Sequence, residues 1–456
     1  MSAKLTVCGA AGGVTGSCYH LALEGTAIVI DAGVFQGGRE ADELNLRPTP
    51  FDPRTVDAMV LTHGHLDHVG RVPLLVERGL AAPIHAHPAT CDIATLIMED
   101  TAKIGARSKT PLYDRRAVDE ARAHLRKHDY RQPFSIGPFR VELFDAGLIL
   151  GSAHVRVSWQ TKGGEHAVLF SGDIGVAGTP IIRDPFTAWR PEHAVDTVIT
   201  ESTYGDRPHP DRAEARARFR EVIQRALADG GKVLIPAFAI GRTQEILYEL
   251  HRLVTDGDVA GRIPVVVDGP LSLSATEVYR RHRGCYDEAA LDLIAHGEHP
   301  LELDSFFGAR DGRASAQVAE IDGPAIIIAG SGMCNGGRIR GHLARYLPDP
   351  RTDVLLVGYQ GARTLGRALE DGAHEVWLDG HQVPVRARIT RLSGMSAHAD
   401  QHGLAAWYER VPKRAGATTI VTHGEDDARA TYAKLLTDRF GARTIVPALG
   451  DTIDLG

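Results

Sequence analysis

A chain of 456 residues is too long for one ordinary hydrophobic core and long enough for two or three domains. With 43% hydrophobic and 24% charged residues it reads as soluble and globular, and no apolar run approaches the ~18 residues of a membrane span. A net charge of −7 argues against indiscriminate nucleic-acid binding by the whole surface, although it leaves room for a local basic groove.

The N-terminus, MSAKLTVCGAAGG, has one lysine and no long apolar stretch, so a secretory signal is not expected. The stretches KLTVCGA, CYHLALE and TAIVIDAG read as short strands joined by turns. DAMVLTHGHLDHVGRVPLLVERG reads as a buried strand, a loop and a helix, and PIHAH as another strand. Residues 88–106 and 113–127 read as helices. Strands return in RVELFDAG, HVRVSWQT, HAVLFSGDIG and DTVITEST.

From about residue 207 the rhythm becomes βαβ, which implies a parallel sheet covered by helices. Helix 211–229 leads to strand KVLIPA, helix 241–255, strand IPVVVDG, further helices, strand PAIIIAG, a helix near 337–346 and strand DVLLVGY. VPVRARITRL then reads as a strand, followed by a helix over 401–411, strand ATTIVTHGE and a last helix. These features divide the chain into 1–206, 207–380 and 381–456, with the last segment returning to the first domain. Five scattered cysteines with no CxxC spacing read as reduced thiols in a cytoplasmic protein.

LTHGHLDHVG carries His63, His65, Asp67 and His68 within six positions, just after an apolar strand. On a tight loop, alternate side chains can converge on one ion and the next two can serve a second. Imidazole and carboxylate suit Zn²⁺ or Mn²⁺. One loop cannot close two sites, so other ligands must come from strand ends. Asp173 in FSGDIG could bridge two ions through its two oxygens, and His423 in IVTHGE stands in the same kind of place. Asp31 in IVIDAG is expected to hold the ligand loop by hydrogen bonds rather than to bind a cation itself.

DAG, THGHLDHVG, SGDIG and VTHGE, in this order, resemble the metallo-β-lactamase superfamily. The βαβ block between Asp173 and His423 is more than a small hydrolase of that fold needs. Glu201 in ITEST, His398 in SAHAD and His423 in VTHGE resemble the three additional motifs of the β-CASP nucleases. PAFAIGRTQEILY and AGSGMCNGGRIRGHL are similar to that family's inserted domain. The nearest resemblance is to bacterial relatives of the cleavage and polyadenylation specificity factor endonuclease. Ribonuclease J is similar but usually carries a further C-terminal domain.

The resemblance implies an α/β fold, an αββα metallo-β-lactamase sandwich with an inserted α/β β-CASP domain. It implies two divalent metal ions, Zn or Mn, held by His63, His65, Asp67, His68, Asp173 and His423. Catalysis would fall to Asp67, Glu201 and His398, the histidine acting as an acid toward the leaving ribose oxygen. The expected activity is hydrolysis of phosphodiester bonds in single-stranded RNA, by endonuclease or 5′-to-3′ exonuclease action. No membrane partner is expected, and a homodimer is compatible with the sequence. Two alternatives are a non-catalytic RNA-binding member of the family and a small-molecule metallo-hydrolase of the same fold.

DAGLILGSAH departs from the family pattern, which usually has a histidine ligand where Leu148 stands. His154 lies six residues on, and a strand of that length spans ~20 Å, so it reads as a strand histidine rather than a substitute. Whether native to the chain or introduced, the leucine predicts one well-filled metal site and one impaired site. For the RNA, the glycine-rich turn AGSGMCNGGR offers Ser331 and Gly332 to a phosphate, and Ser396 is a similar candidate. Arg242 and Arg207 could neutralise backbone phosphates, and Phe238 and Tyr204 could stack on bases. Residues 103–131 carry nine Lys or Arg against four acids, readable as a solvated helix face or as a phosphate-tracking wall.

Overall fold

The computed structural model describes residues 2–361 and 363–456. The chain forms two compact units, one comprising residues up to Pro208 together with His398–Gly456, the other His209–Ala397.

The first unit is built on two seven-stranded sheets. One runs in the order Thr452–Asp454, Lys4–Val7, Tyr19–Leu23, Thr26–Ile30, Ala58–Val60, Ile84–Ala86, Leu125–Lys127. The other runs Arg443–Ile445, Lys413–Val421, Val195–Thr200, Gly164–Phe170, Ala153–Thr161, Phe139–Asp145, Phe134–Ile136. Period-2 alternation assigns each strand residue to a layer. Ile28 and Ile30 face the second sheet, joining Val141, Val155, Phe170 and Ile199 in the inner core, while Val29 faces outward. Outside the first sheet, Val29, Met59 and Ile84 pack with Val72, Leu75, Cys91 and Val118 from three helices. Outside the second, Leu169, Val198 and Val421 pack with Leu404, Trp407, Tyr432 and Leu436 from helices Gln401–Arg410 and Asp426–Phe440. This is the αββα sandwich.

The second unit has a six-stranded parallel sheet, ordered Phe306–Ala309, Val265–Asp268, Ala325–Ala329, Lys232–Pro236, Asp353–Leu356, Arg388–Arg391. Its central strand Ala325–Ala329 is apolar and buried at every position, as expected of a strand covered on both faces. The single strand expected over VPVRARITRL is divided. His381–Pro384 closes a hairpin with Glu375–Leu378, and Arg388–Arg391 joins the edge of this sheet beside Asp353–Leu356. Arg388 there pairs with Asp353 at 2.7 Å and Asp229 at 2.6 Å. The short strands Arg443–Ile445 and Thr452–Asp454 carry no alternation long enough to read, and register against neighbouring strands is what forms them.

Candidate metal centre

Strands Gly164–Phe170, Val195–Thr200 and Lys413–Val421 are adjacent and mutually parallel. Asp173, Glu201 and His423 therefore leave the second sheet at one common edge. Thr26–Ile30 and Ala58–Val60 are also parallel, so Asp31 and the His63–His68 loop leave the first sheet together. The ligand loop is pressed close on both sides. A Cβ at Gly33 would sit 1.5 Å from the Asp67 carbonyl oxygen, and one at Gly64 would sit 2.4 Å from Ile93. Only glycine lets the backbone pass at these two points. A Gly33→Ala change is expected to displace the Asp67 carbonyl and lower metal content, measured on purified protein.

All the side chains of this centre belong to the first unit. The Nε2 atoms of His68 and His423, 355 positions apart, are 3.2 Å from each other. His63 Nε2 lies 3.1 Å from His65 Nδ1. Two nitrogens bound tetrahedrally to one cation at about 2.0–2.1 Å would be roughly 3.3 Å apart. His63, His65 and Asp173 form one group able to hold a cation, Asp67, His68 and His423 a second, and Asp173, Glu201 and His398 a third.

Asp173 is 1% exposed, and among the described residues neither of its carboxylate oxygens has a partner in good hydrogen-bond geometry. Imidazole nitrogens of His68, His423 and His63 stand 3.3, 3.5 and 3.6 Å away. A buried carboxylate without hydrogen bonds is costly unless a cation compensates it. The donor set thus fits divalent metal ions.

Supporting groups fix the rings. The Asp31 carboxylate accepts from the Thr62 backbone N–H, the Thr62 hydroxyl and His68 Nδ1–H, each at 2.8 Å. This turns His68 Nε2 toward the centre, the usual arrangement of a carboxylate behind a ligating histidine. Thr62 Oγ1 is 3.1 Å from His63 Nδ1 and Thr203 Oγ1 is 3.2 Å from His423 Nδ1. Thr62 and Thr203 escaped the sequence reading. Both lie inside motifs already quoted, Thr62 in THGHLDHVG and Thr203 in ITEST, beside the residues singled out there. Burial drives His63 well below its ordinary range and His65 down to about 4, leaving both neutral with lone pairs free for a cation.

His398 Nδ1 is 3.4 Å from Glu201 Oε1 and 3.9 Å from Asp173 Oδ2. Glu201 is held by the backbone N–H groups of Ile174 at 2.5 Å and Thr203 at 3.2 Å. Burial alone would lower the His398 pKa, but the Glu201 carboxylate outweighs it with help from Asp173, raising it to about 9.

Leu148 is 2% exposed, on the turn between strands Phe139–Asp145 and Ala153–Thr161. Its N–H donates to Ser152 Oγ at 3.0 Å. A Cβ on Gly175, two residues past Asp173, would lie 2.7 Å from the Leu148 nitrogen. An apolar side chain thus occupies a turn packed directly on the Asp173 loop. His154 does not replace it. Its Nδ1–H donates to the Ser171 carbonyl at 2.5 Å, and its Nε2 accepts from Trp407 Nε1–H at 3.0 Å. Burial holds it neutral, down to about 4. His154→Ala is expected to cost about 2–4 kcal/mol in stability, since it opens a cavity and orphans the buried indole N–H. Urea unfolding would show this with metal content unchanged; the reverse pattern would make His154 a ligand.

Of the phosphate candidates, Arg242, Ser331, Gly332 and Ser396 belong to the second unit and Arg207 to the first. Arg242 is 8% exposed and pairs with Glu245 on its own helix. Ser331 Oγ accepts from the Gly336 N–H at 3.2 Å within the glycine-rich turn, and Gly332 is buried there. Ser396 is partly buried and precedes His398 by two residues. The Arg207 guanidinium pairs with Asp206 at 3.0 Å and lies 5.0 Å from the Tyr204 ring centroid. In the basic segment, Arg116 pairs with Glu120 at 3.0 Å and Arg122 with Glu99 at 3.9 Å from helix Arg115–His124, and Lys127, on strand Leu125–Lys127, pairs with Asp92 at 3.4 Å.

Three family models match the chain: the metallo-beta-lactamase superfamily over residues 11–236, the Beta-Casp domain over 243–369, and the Zn-dependent metallo-hydrolase RNA specificity domain over 382–447. Among curated proteins, ribonuclease TTHA0252 of Thermus thermophilus is 36% identical over 94% of this chain and 94% of its own length. Transcription termination factor FttA of Pyrococcus horikoshii is 32% identical over 88% of this chain and 62% of its own length. FttA of Methanosarcina mazei is 30% identical over 95% and 69%. A solved structure of a protein of unknown function from Enterococcus faecalis shares the fold, with a TM-score of 0.58 and 12% identity across both full chains.

Proposed function

The chain belongs to the metallo-β-lactamase superfamily, in its β-CASP branch, and from that premise we propose that it is a metal-dependent ribonuclease hydrolysing phosphodiester bonds of single-stranded RNA. One observation carries the reading beyond membership. The buried Asp173 carboxylate, with no partner in good hydrogen-bond geometry among the described residues, faces imidazoles of two ligand groups with the Glu201–His398 pair alongside.

His63, His65 and Asp173 would hold one divalent cation, and Asp67, His68, His423 and Asp173 a second. The imidazole-rich donors favour zinc or manganese over magnesium or calcium. When bound, such ions lower the pKa of water and offset charge on phosphate oxygens. The chain's own residues do the rest. Asp31 and Thr62 keep the ligand rings oriented. Glu201 holds His398 protonated at neutral pH, with the proton available to the departing ribose oxygen. With Leu148 in place of an imidazole, the first site lacks one donor and is the weaker.

The test is end-labelled single-stranded RNA incubated with Mn²⁺, Zn²⁺ or chelator, with duplex RNA alongside. Metal-dependent cutting of the single strand is expected, in this chain or in its Leu148→His variant. Failure of both chains in every metal would sink the proposal. His398→Ala is expected to slow cleavage by about 10²–10⁴, the range for a general acid, with metal content retained. Leu148 favours one second reading, a family member that binds RNA without cutting it, and cleavage by the parent chain would exclude that.

A further inference from the structure

In the second unit, strands Ala325–Ala329, Lys232–Pro236 and Asp353–Leu356 are adjacent and parallel. Their carboxyl-terminal loops therefore emerge side by side, at the end of such sheets where ligands bind. Two large rings stand there in the open, Phe238 at 46% exposed and Tyr359 at 55%. Single exposed rings are ordinary; these two sit on neighbouring loops, the Tyr359 ring 3.8 Å from a Cβ built on Gly361 and the Phe238 ring closely backed by two other glycines. A Cβ at Gly332 would come within 3.0 Å of the Phe238 ring, and one at Gly358 within 3.6 Å. The backbone under the shelf is rigid. The buried Gln360 amide donates to the carbonyls of Gly332 at 3.0 Å and Gly358 at 3.1 Å, tying two of the loops together. The Phe238 carbonyl accepts from the Thr243 hydroxyl at 2.8 Å, fixing the third.

We infer that Phe238 and Tyr359 form a stacking subsite for unpaired nucleobases of RNA, which positions the strand by its bases rather than by its phosphates. Flat rings with glycine beneath and solvent above accept any base by its π-face, so the subsite is tolerant of sequence and closed to duplex, whose bases are already stacked. Arg363, four residues beyond Tyr359 in sequence, is exposed. The Ser331 turn, Arg242 and the other phosphate candidates need not be involved. This inference rests on the RNA reading above.

The experiment uses the full chain in chelator, so that binding is read without cleavage. Fluorescein-labelled oligoadenylate RNA is titrated by anisotropy against the parent, Phe238→Ala, Tyr359→Ala and Phe238→Trp, with a strand of the same length made largely abasic as the second probe. Each alanine is expected to weaken oligoadenylate binding about tenfold, to leave abasic binding unchanged, and to keep the melting temperature. The tryptophan should restore affinity. Unchanged oligoadenylate affinity in both alanine variants overturns the subsite, as does an equal loss for the abasic strand. If the parent itself binds neither strand, the RNA reading fails and takes the subsite with it.

Discussion

Leu148→His is expected to raise the metal content from about one to about two ions per chain and to increase RNA cleavage by roughly 10²-fold or more, because the added imidazole would give the first site as many protein donors as Asp67, His68, His423 and Asp173 offer the second, and both ions are needed for a two-metal mechanism. His63, His65 and Asp173 supply three at most, and Asp173 also stands 3.3 Å from His68 and 3.5 Å from His423 of the second group. The leucine turn is fixed by the Ser152 hydroxyl and packs on the backbone beyond Asp173, so a histidine there projects from a set position. A ~100-fold gain in cation affinity would correspond to about 2.8 kcal/mol. Elemental analysis after gel filtration and cleavage rates at fixed Mn²⁺ check both effects. Two tightly held ions in the unaltered chain would show that the missing imidazole is dispensable.

Asp173→Asn is expected to empty both sites and reduce cleavage by about 10³-fold or more, since losing the shared ligand removes the main source of charge stabilisation. The amide has nearly the shape of the carboxylate, so the fold is retained. It offers one oxygen instead of two and turns an NH₂ toward imidazole nitrogens that stand 3.3–3.6 Å away. Circular dichroism would separate this loss from unfolding. Retention of one ion would mean that Asp67, His68 and His423 hold a cation without Asp173.

The reading of Arg242 from its motif left out its partner. AIGRTQE places a cation at a helix start, but the same helix supplies Glu245 one turn on, and burial favours that internal pair. His154 shows the opposite outcome. Strand geometry argued that it could not reach the centre, and the structure supplies its partners in Trp407 and Ser171.

The sequence by itself determined the residue types of the centre, because His63, His65, Asp67 and His68 share one short loop whose reach is set by covalent geometry. It also placed Asp31, Asp173, Glu201 and His423 at strand ends, since apolar runs stopping at a polar residue and a turn are local signals. Tertiary structure alone decided that those ends meet. That depends on which strands pair, on three of them running parallel, and on the stacking of two sheets so that His68 meets His423 and Asp173. Strand order is a property of the packed core rather than of any local stretch. The orphaned oxygens of Asp173 and the shelf of Phe238 and Tyr359 emerged only once those layers closed.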